Sequence, residues 1–158
     1  AIGFVFAGRV IDWLGTKRGF AVAIIIWSLA AIGHAEAPAI GAALAPILAF
    51  FGAGFSTSVI GFAAMRLLLG LGEAGNFPAA IKTVAEWFPR SERALSTGIF
   101  NSGTNIGALV TPLVVPYVPL TYGWYWAFVL TGVIGFAWQV LWLALYAPAA
   151  THPLLSAA

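Results

Sequence analysis

The stretch Val59–Ala80, VIGFAAMRLLLGLGEAGNFPAA, decides the fold of this chain. It is apolar except for Arg66 and Glu73, and it exceeds the ~20 residues that a membrane-spanning helix needs. The two charges are seven residues apart, which is two helical turns, so they share one helix face. A charge in hydrocarbon costs at least ~2.5–3.5 kcal/mol, and such residues usually face a bundle interior or a water-filled path. The stretch therefore predicts a membrane protein that handles an ion or a charged solute.

The composition of the whole chain agrees with a lipid environment. It is 61% hydrophobic and 8% charged, whereas a soluble domain carries roughly 25% charged residues. The absence of cysteine excludes disulfides and thiolate metal sites. The net charge is only +2, and the sequence contains no basic run, so we expect no nucleic-acid partner.

The apolar runs give the organisation of the chain. We predict the end of a membrane helix at 1–7 and membrane helices at 19–37, 59–86, 94–116 and 124–147. The remaining segments are a loop at 8–18, an apolar insert at 38–58, a loop at 87–93, an outer loop at 117–123 and a tail at 148–158.

The distribution of basic residues predicts the orientation. Lys and Arg occur in loops 8–18 and 87–93 and are absent from linkers 34–38 and 116–123, so the basic loops and the tail are predicted to be cytoplasmic. If the insert at 38–58 crossed the membrane, the two basic loops would lie on opposite sides. We therefore predict a non-crossing insert on the outer side. It could be a hairpin, a re-entrant piece or a helix extension.

The first basic loop has a recognisable spacing, GRVIDWLGTKR, which reads G-x-x-x-D-x-x-G-x-K-R. Gly8 would allow close helix approach and Gly15 a tight turn. Asp12 can cap a helix N-terminus, while Lys17 and Arg18 would hold the loop in the cytoplasm. An ordinary basic loop between two spans is the alternative.

This loop resembles the signature between helices two and three of the major facilitator superfamily. The run RLLLGLGEAGNFPAA at 66–80 is similar to helix four of its anion:cation symporter family, hexuronate and sugar-acid transporters above all. EWFP at 86–89, ERA at 92–94 and FNSG at 100–103 extend the resemblance into helix five. Two features depart from the family pattern: Trp13 replaces a common basic residue, and the insert at 38–58 is unusually long.

The resemblance implies an all-α membrane protein. The chain would be a partial N-terminal six-helix bundle, running from the end of helix two to helix six of a twelve-helix transporter. Helix one and the C-terminal half of the same transporter would be its missing partners. We expect such a fragment to be inactive alone.

The resemblance also implies roles for the two charges. Arg66 and Glu73 match the coupling pair on helix four. Arg66 stays charged and can attract a substrate carboxylate. Glu73 can gain and lose a proton as water access alternates. The alternative is a structural salt bridge between each charge and a neighbouring helix.

A polar cluster on the next helix completes the predicted substrate site. Asn101 and Asn105 share a helix face at i, i+4, and Thr104 matches a position that the family uses for substrate contact. These groups could hydrogen-bond sugar hydroxyls, but helix–helix hydrogen bonding is an equal alternative.

Other polar and aromatic residues receive structural interpretations. Lys82, near the cytoplasmic end of its helix, is predicted to extend its ammonium to the interface. We predict interface anchoring and packing for the tryptophans of the last span and its entrance, Trp124, Trp126, Trp138 and Trp142.

Together these features predict proton-coupled symport of an organic anion, a sugar acid such as a hexuronate or aldonate, by alternating access. The protein would lie in the bilayer of a bacterial inner membrane, with no cofactor and no metal. A non-transporting structural fragment is one alternative. An intramembrane enzyme is a weaker one, because the chain has no HExxH helix, paired aspartates or GxSxG elbow.

Overall fold

A computed structural model of the chain describes residues 2–50, 54–149 and 152. These residues form seven α-helices and no strand: α1 (Ile2–Leu14), α2 (Thr16–Gly33), α3 (Ala37–Phe50), α4 (Thr57–Trp87), α5 (Arg93–Val114), α6 (Tyr117–Tyr122) and α7 (Trp124–Leu145). The predicted all-α fold class is confirmed.

Four helical segments in the described part of the chain are long and apolar enough to cross a membrane. They are α2, α4, α5 continued through α6, and α7. The 31 residues of α4 correspond to about 46 Å of helix, more than the ~30 Å hydrocarbon core of a bilayer. Its ends therefore extend beyond the core. The chain is an integral membrane protein with a partial helix bundle.

Helix α2 lies at the centre of the bundle and packs against both α4 and α7. Glycines on the outer helices bring the backbones together. A Cβ added at Gly72 of α4 would lie 2.6 Å from the backbone nitrogen of Trp27, and one at Gly132 of α7 would lie 2.6 Å from the carbonyl oxygen of Ser28. Small residues at the contact are how membrane helices gain van der Waals packing without a hydrophobic driving force.

The structure differs from the predicted loop at 8–18. Helix α1 continues to Leu14, and only Gly15, with φ 77°, separates it from α2. The helix persists because Ile11 is buried against Phe20 and Ala79, and this contact requires the last turns of α1 to be helical. The tight turn predicted at Gly15 is confirmed. The close approach predicted at Gly8 is not seen, since the described residues leave open space around it.

The apolar insert contains a helix of its own. Helix α3 has 14 residues, about 21 Å long, which is shorter than the hydrocarbon core. It crosses α4 where Ala37 and Gly41 meet Thr57 and Gly61. Each helix thus presents two small residues four positions apart, a spacing that lets membrane helices approach closely. Its location relative to the membrane stays a prediction.

The predicted outer loop at 117–123 is mostly helical. Helix α6 occupies Tyr117–Tyr122, and Gly123, with φ 92°, ends it before α7 begins. Prolines permit this helix because Pro116 and Pro119 fall at its cap and in its first turn, where backbone N–H groups have no intrahelical partner. The structure thus has a short helix where we predicted a loop.

Candidate functional site

A cleft of about 660 Å³ lies between the four large helices α2, α4, α5 and α7. Its volume falls within the ~300–1,000 Å³ range of small-molecule sites. The cleft is lined by Phe20, Ile24, Trp27, Glu73, Asn76, Phe77, Ala80, Phe100, Asn101, Thr104, Ile134, Gly135 and Trp138. A mostly apolar wall with a few polar groups is typical of a ligand site.

Three of the predicted site residues meet in this cleft. Glu73 contributes from α4, and Asn101 and Thr104 contribute from α5. Among the described residues of the wall, Glu73 is the one charged side chain. A carboxylate, an amide and a hydroxyl therefore face one space that is otherwise largely hydrocarbon.

Arg66 and Asn105, also predicted for the site, do not line the cleft. Arg66 is exposed on the same face of α4 as Glu73, about 10.5 Å away along the helix axis. Across residues 2–50, 54–149 and 152, neither charge has an ion-pair partner. These described residues thus offer no structural salt bridge for either charge. Asn105 is exposed on α5, outside the wall.

Asn76 is a site residue that the sequence analysis missed. It lies one helical turn after Glu73 and lines the same cleft. Its Oδ1 is buried without a hydrogen-bond partner in the described part of the chain. A buried unpaired acceptor costs about 1–3 kcal/mol. The i, i+3 spacing from Glu73 could have revealed it, because residues so spaced share a helix face.

Aromatic rings form much of the remaining wall. Phe77 of α4 and Phe100 of α5 meet edge to face, with centroids 5.8 Å apart. Trp138 of α7 lies 5.0 Å from Phe20 and stacks on Trp142 at 5.5 Å and 11°. Trp138 was predicted to serve anchoring and packing; it packs as expected and also lines the cleft.

At the C-terminal end of α4, a second cluster of polar side chains joins three segments of the chain. Glu86 Oε1 accepts a hydrogen bond from Thr16 at 2.5 Å, and Glu86 Oε2 accepts one from Tyr146 at 2.5 Å. We call these three residues the Glu86 cluster. Tyr146 follows the last residue of α7, and burial, reinforced by the hydrogen bond to Glu86, raises its pKa to about 12.

The signature motif contributes to this end of the bundle through an ion pair. Lys82 Nζ lies 2.7 Å from Asp12 Oδ1. Lys82 therefore pairs across helices instead of only extending to the interface. Asp12 does not cap α2, whose N-cap is Gly15 with no side-chain hydrogen bond. Lys17 also makes a contact at this end of the bundle: the indole N–H of Trp142 donates a hydrogen bond of 3.1 Å to the backbone carbonyl of Lys17. Arg18 lies in the first turn of α2.

Comparison with known proteins agrees with this architecture. The family model of the Major Facilitator Superfamily matches residues 1–157. The chain is 35% identical over 140 residues to the galacturonate transporter of Dickeya chrysanthemi, covering 89% of this chain and 35% of that protein. It is 34% identical over 140 residues to the hexuronate transporter of Escherichia coli K12, covering 89% of this chain and 28% of the relative.

A third relative is the D-galactonate transporter of Escherichia coli O6:H1, 30% identical over 142 residues, with 89% of this chain and 28% of the relative covered. The chain thus spans about a third of the length of the curated relatives it matches. These relatives are named as transporters, not enzymes. From the family match over nearly its whole length, the resemblance noted in the sequence is confirmed, and the chain belongs to the major facilitator superfamily.

Proposed function

We propose that the complete gene product carries a sugar acid, such as a hexuronate or an aldonate, across the bacterial inner membrane by proton-coupled symport. The names of the relatives support the substrate class: galacturonate, hexuronate and D-galactonate are all hydroxylated carboxylates. Transport would proceed by alternating access, with the bundle rocking against a partner half.

The observation that supports the proposal most directly is the position of Glu73 in the cleft wall beside two polar groups of α5. An anion that enters this apolar space meets the negative charge of Glu73. Two negative charges in a medium of low dielectric repel strongly, so the anion binds more readily beside a neutral Glu73 side chain than beside an ionised one. Substrate and proton binding are then linked, and each strengthens the other.

The remaining polar groups have complementary roles in this scheme. Arg66, two turns from Glu73 on the same face, attracts the substrate carboxylate. The sugar hydroxyls donate to the unpaired Oδ1 of Asn76 and exchange hydrogen bonds with Asn101 and Thr104. Arg66 and Asn105 both lie outside the cleft wall. The proposed site keeps Arg66 because its charge acts over a distance, and it omits Asn105, which is uncharged.

The test replaces Glu73 by glutamine in the complete gene product, reconstituted in vesicles. Glu73→Gln keeps the size of the side chain but removes the proton site. We expect proton-driven accumulation of the sugar acid to be lost while exchange of internal for external substrate continues. Glu92→Gln is the matched control, because Glu92 is exposed at the start of α5, away from the cleft. Equal accumulation by Glu73→Gln and wild type would overturn the proposal.

A further inference from the structure

The cleft is lined by two chemically different kinds of side chain. Aromatic rings come from all four large helices: Trp27 of α2, Phe77 of α4, Phe100 of α5 and Trp138 of α7. Polar groups are concentrated on α4 and α5, in Glu73, Asn76, Asn101 and Thr104. A ligand that fills the cleft would therefore present an apolar surface to the tryptophans and hydrogen-bonding groups to α4 and α5.

The two tryptophans are held in place by their neighbours. Trp138 is fixed by Phe20 and Trp142, yet it remains 39% exposed. The Trp27 ring lies against α7 at Gly135, where an added Cβ would come within 3.0 Å of it. Rigid rings bind at low entropic cost because few rotamers are lost when the ligand arrives.

Sugar acids exist in two shapes that use such a wall differently. A six-membered ring has a flat face of C–H bonds and a rim of hydroxyls, and its shape is fixed by the ring closure. An open-chain acid has no persistent flat face, and ordering its rotatable bonds costs free energy on binding. A cleft with tryptophans from α2 and α7 and polar groups on α4 and α5 fits the first shape better.

We propose that the cleft selects the cyclic form of a sugar acid over an open-chain acid, and that Trp138 determines this specificity by stacking against the ring face. This inference rests on the proposed function, since it concerns the substrate of the same site. It goes further by separating hexuronates from aldonates, two classes that the relatives' names leave together.

The experiment measures uptake of D-galacturonate, a ring-forming acid, and D-galactonate, an open-chain acid, by the complete gene product in vesicles. We expect wild type to prefer galacturonate. Trp138→Leu should lower galacturonate uptake at limiting concentration by about three- to tenfold, the equivalent of one aromatic contact, and lower galactonate uptake less. Trp138→Phe should keep most of the preference, because it retains a ring.

Trp126→Leu is the matched control, since Trp126 belongs to the same helix, is 49% exposed and does not line the cleft. It should change neither uptake. If Trp138→Leu does not fold, Trp27→Leu tests the same wall, and the wild-type preference tests the selection without any variant.

The outcomes separate the two proposals. Equal loss of both substrates in Trp138→Leu would show a merely structural role and overturn the inference. A wild type that takes up galactonate as well as galacturonate would overturn it too, while leaving sugar-acid transport intact. Uptake of neither substrate by wild type would overturn the proposed function.

Discussion

The phenol of Tyr146 donates a 2.5 Å hydrogen bond to the carboxylate of Glu86, so the residue after α7 is tied to the last turns of α4. Thr16, the first residue of α2, donates to the other oxygen of the same carboxylate. One side chain thus joins three of the four large helices at this end of the bundle. Tyr146 itself is 8% exposed, which makes its ionisation a probe of this contact.

We predict that the bundle loses stability between about pH 10 and pH 12. Burial and the hydrogen bond to Glu86 raise the pKa of Tyr146 from 10.0 to about 12. Because the folded-state pKa is the higher one, the contribution is fully present below pH 10 and is lost as the pH rises through 12. Ionised Tyr146 would lose the proton that it donates to the Glu86 carboxylate, and the two negative charges would repel each other.

The measurement is the thermal unfolding of wild type and Tyr146→Phe in detergent across this pH range. The variant lacks the titrating hydroxyl, so its unfolding temperature should fall less steeply above pH 10. Tyr122→Phe serves as the control, since Tyr122 is 63% exposed. Parallel curves for wild type and Tyr146→Phe would contradict the prediction.

Two glycines of α4, two residues apart, should respond oppositely to the same substitution. A Cβ at Gly72 would meet the α2 backbone at Trp27, whereas one at Gly70 meets nothing within 4 Å. We expect Gly72→Ala to destabilise the protein by about 1–3 kcal/mol through overpacking. Gly70→Ala should be neutral or stabilising by up to about 1 kcal/mol, since alanine favours the helix.

Unfolding of the two variants under identical detergent conditions provides the comparison. Each variant is the control for the other, because both carry a glycine-to-alanine change at neighbouring positions of the same helix. A Gly70→Ala protein as unstable as Gly72→Ala would mean that the α2–α4 contact does not determine the difference.

The ion pair between Asp12 and Lys82 should contribute little to stability. The two side chains are 73% and 29% exposed, and exposed pairs contribute about 0.2–1 kcal/mol. Asp12→Asn and Lys82→Gln should therefore have small effects, and the double variant should be no less stable than either single one, because the pair is lost once. A double-mutant cycle at low and high salt measures this. A coupling above ~2 kcal/mol, or one indifferent to salt, would contradict it.

The large helices could be predicted from the sequence because their apolar runs are longer than the apolar runs found in loops. Helix α4 was expected at 59–86 and lies at Thr57–Trp87, where the Ser56 hydroxyl accepts from the Val59 amide at its start. The end of α1 could not be predicted in the same way. It depends on Ile11 meeting Phe20 and Ala79, a contact between residues of three helices that no local pattern contains.

The residues of the candidate site also fall into those that the sequence reveals and those that depend on helix packing. Glu73 could be predicted because a charge in an apolar span is conspicuous, and Asn101 and Thr104 because polar residues cluster on the next helix. Asn76 shares a face of α4 with Glu73 at i, i+3, a signal that the sequence does contain. Trp138 enters the site only through the way α2 and α7 meet, because a tryptophan in a Trp-rich helix has ordinary explanations until those faces are known.

A row of stacked rings along α7 links the two polar regions of the bundle. Trp138, Trp142 and Tyr146, the residue after α7, are spaced four residues apart and stack on one another, with Trp142 and Tyr146 centroids 4.2 Å apart. The first ring borders the cleft and the last belongs to the Glu86 cluster. The cleft wall is thus connected by continuous side-chain contact to Glu86 and, through Thr16, to the first turn of α2.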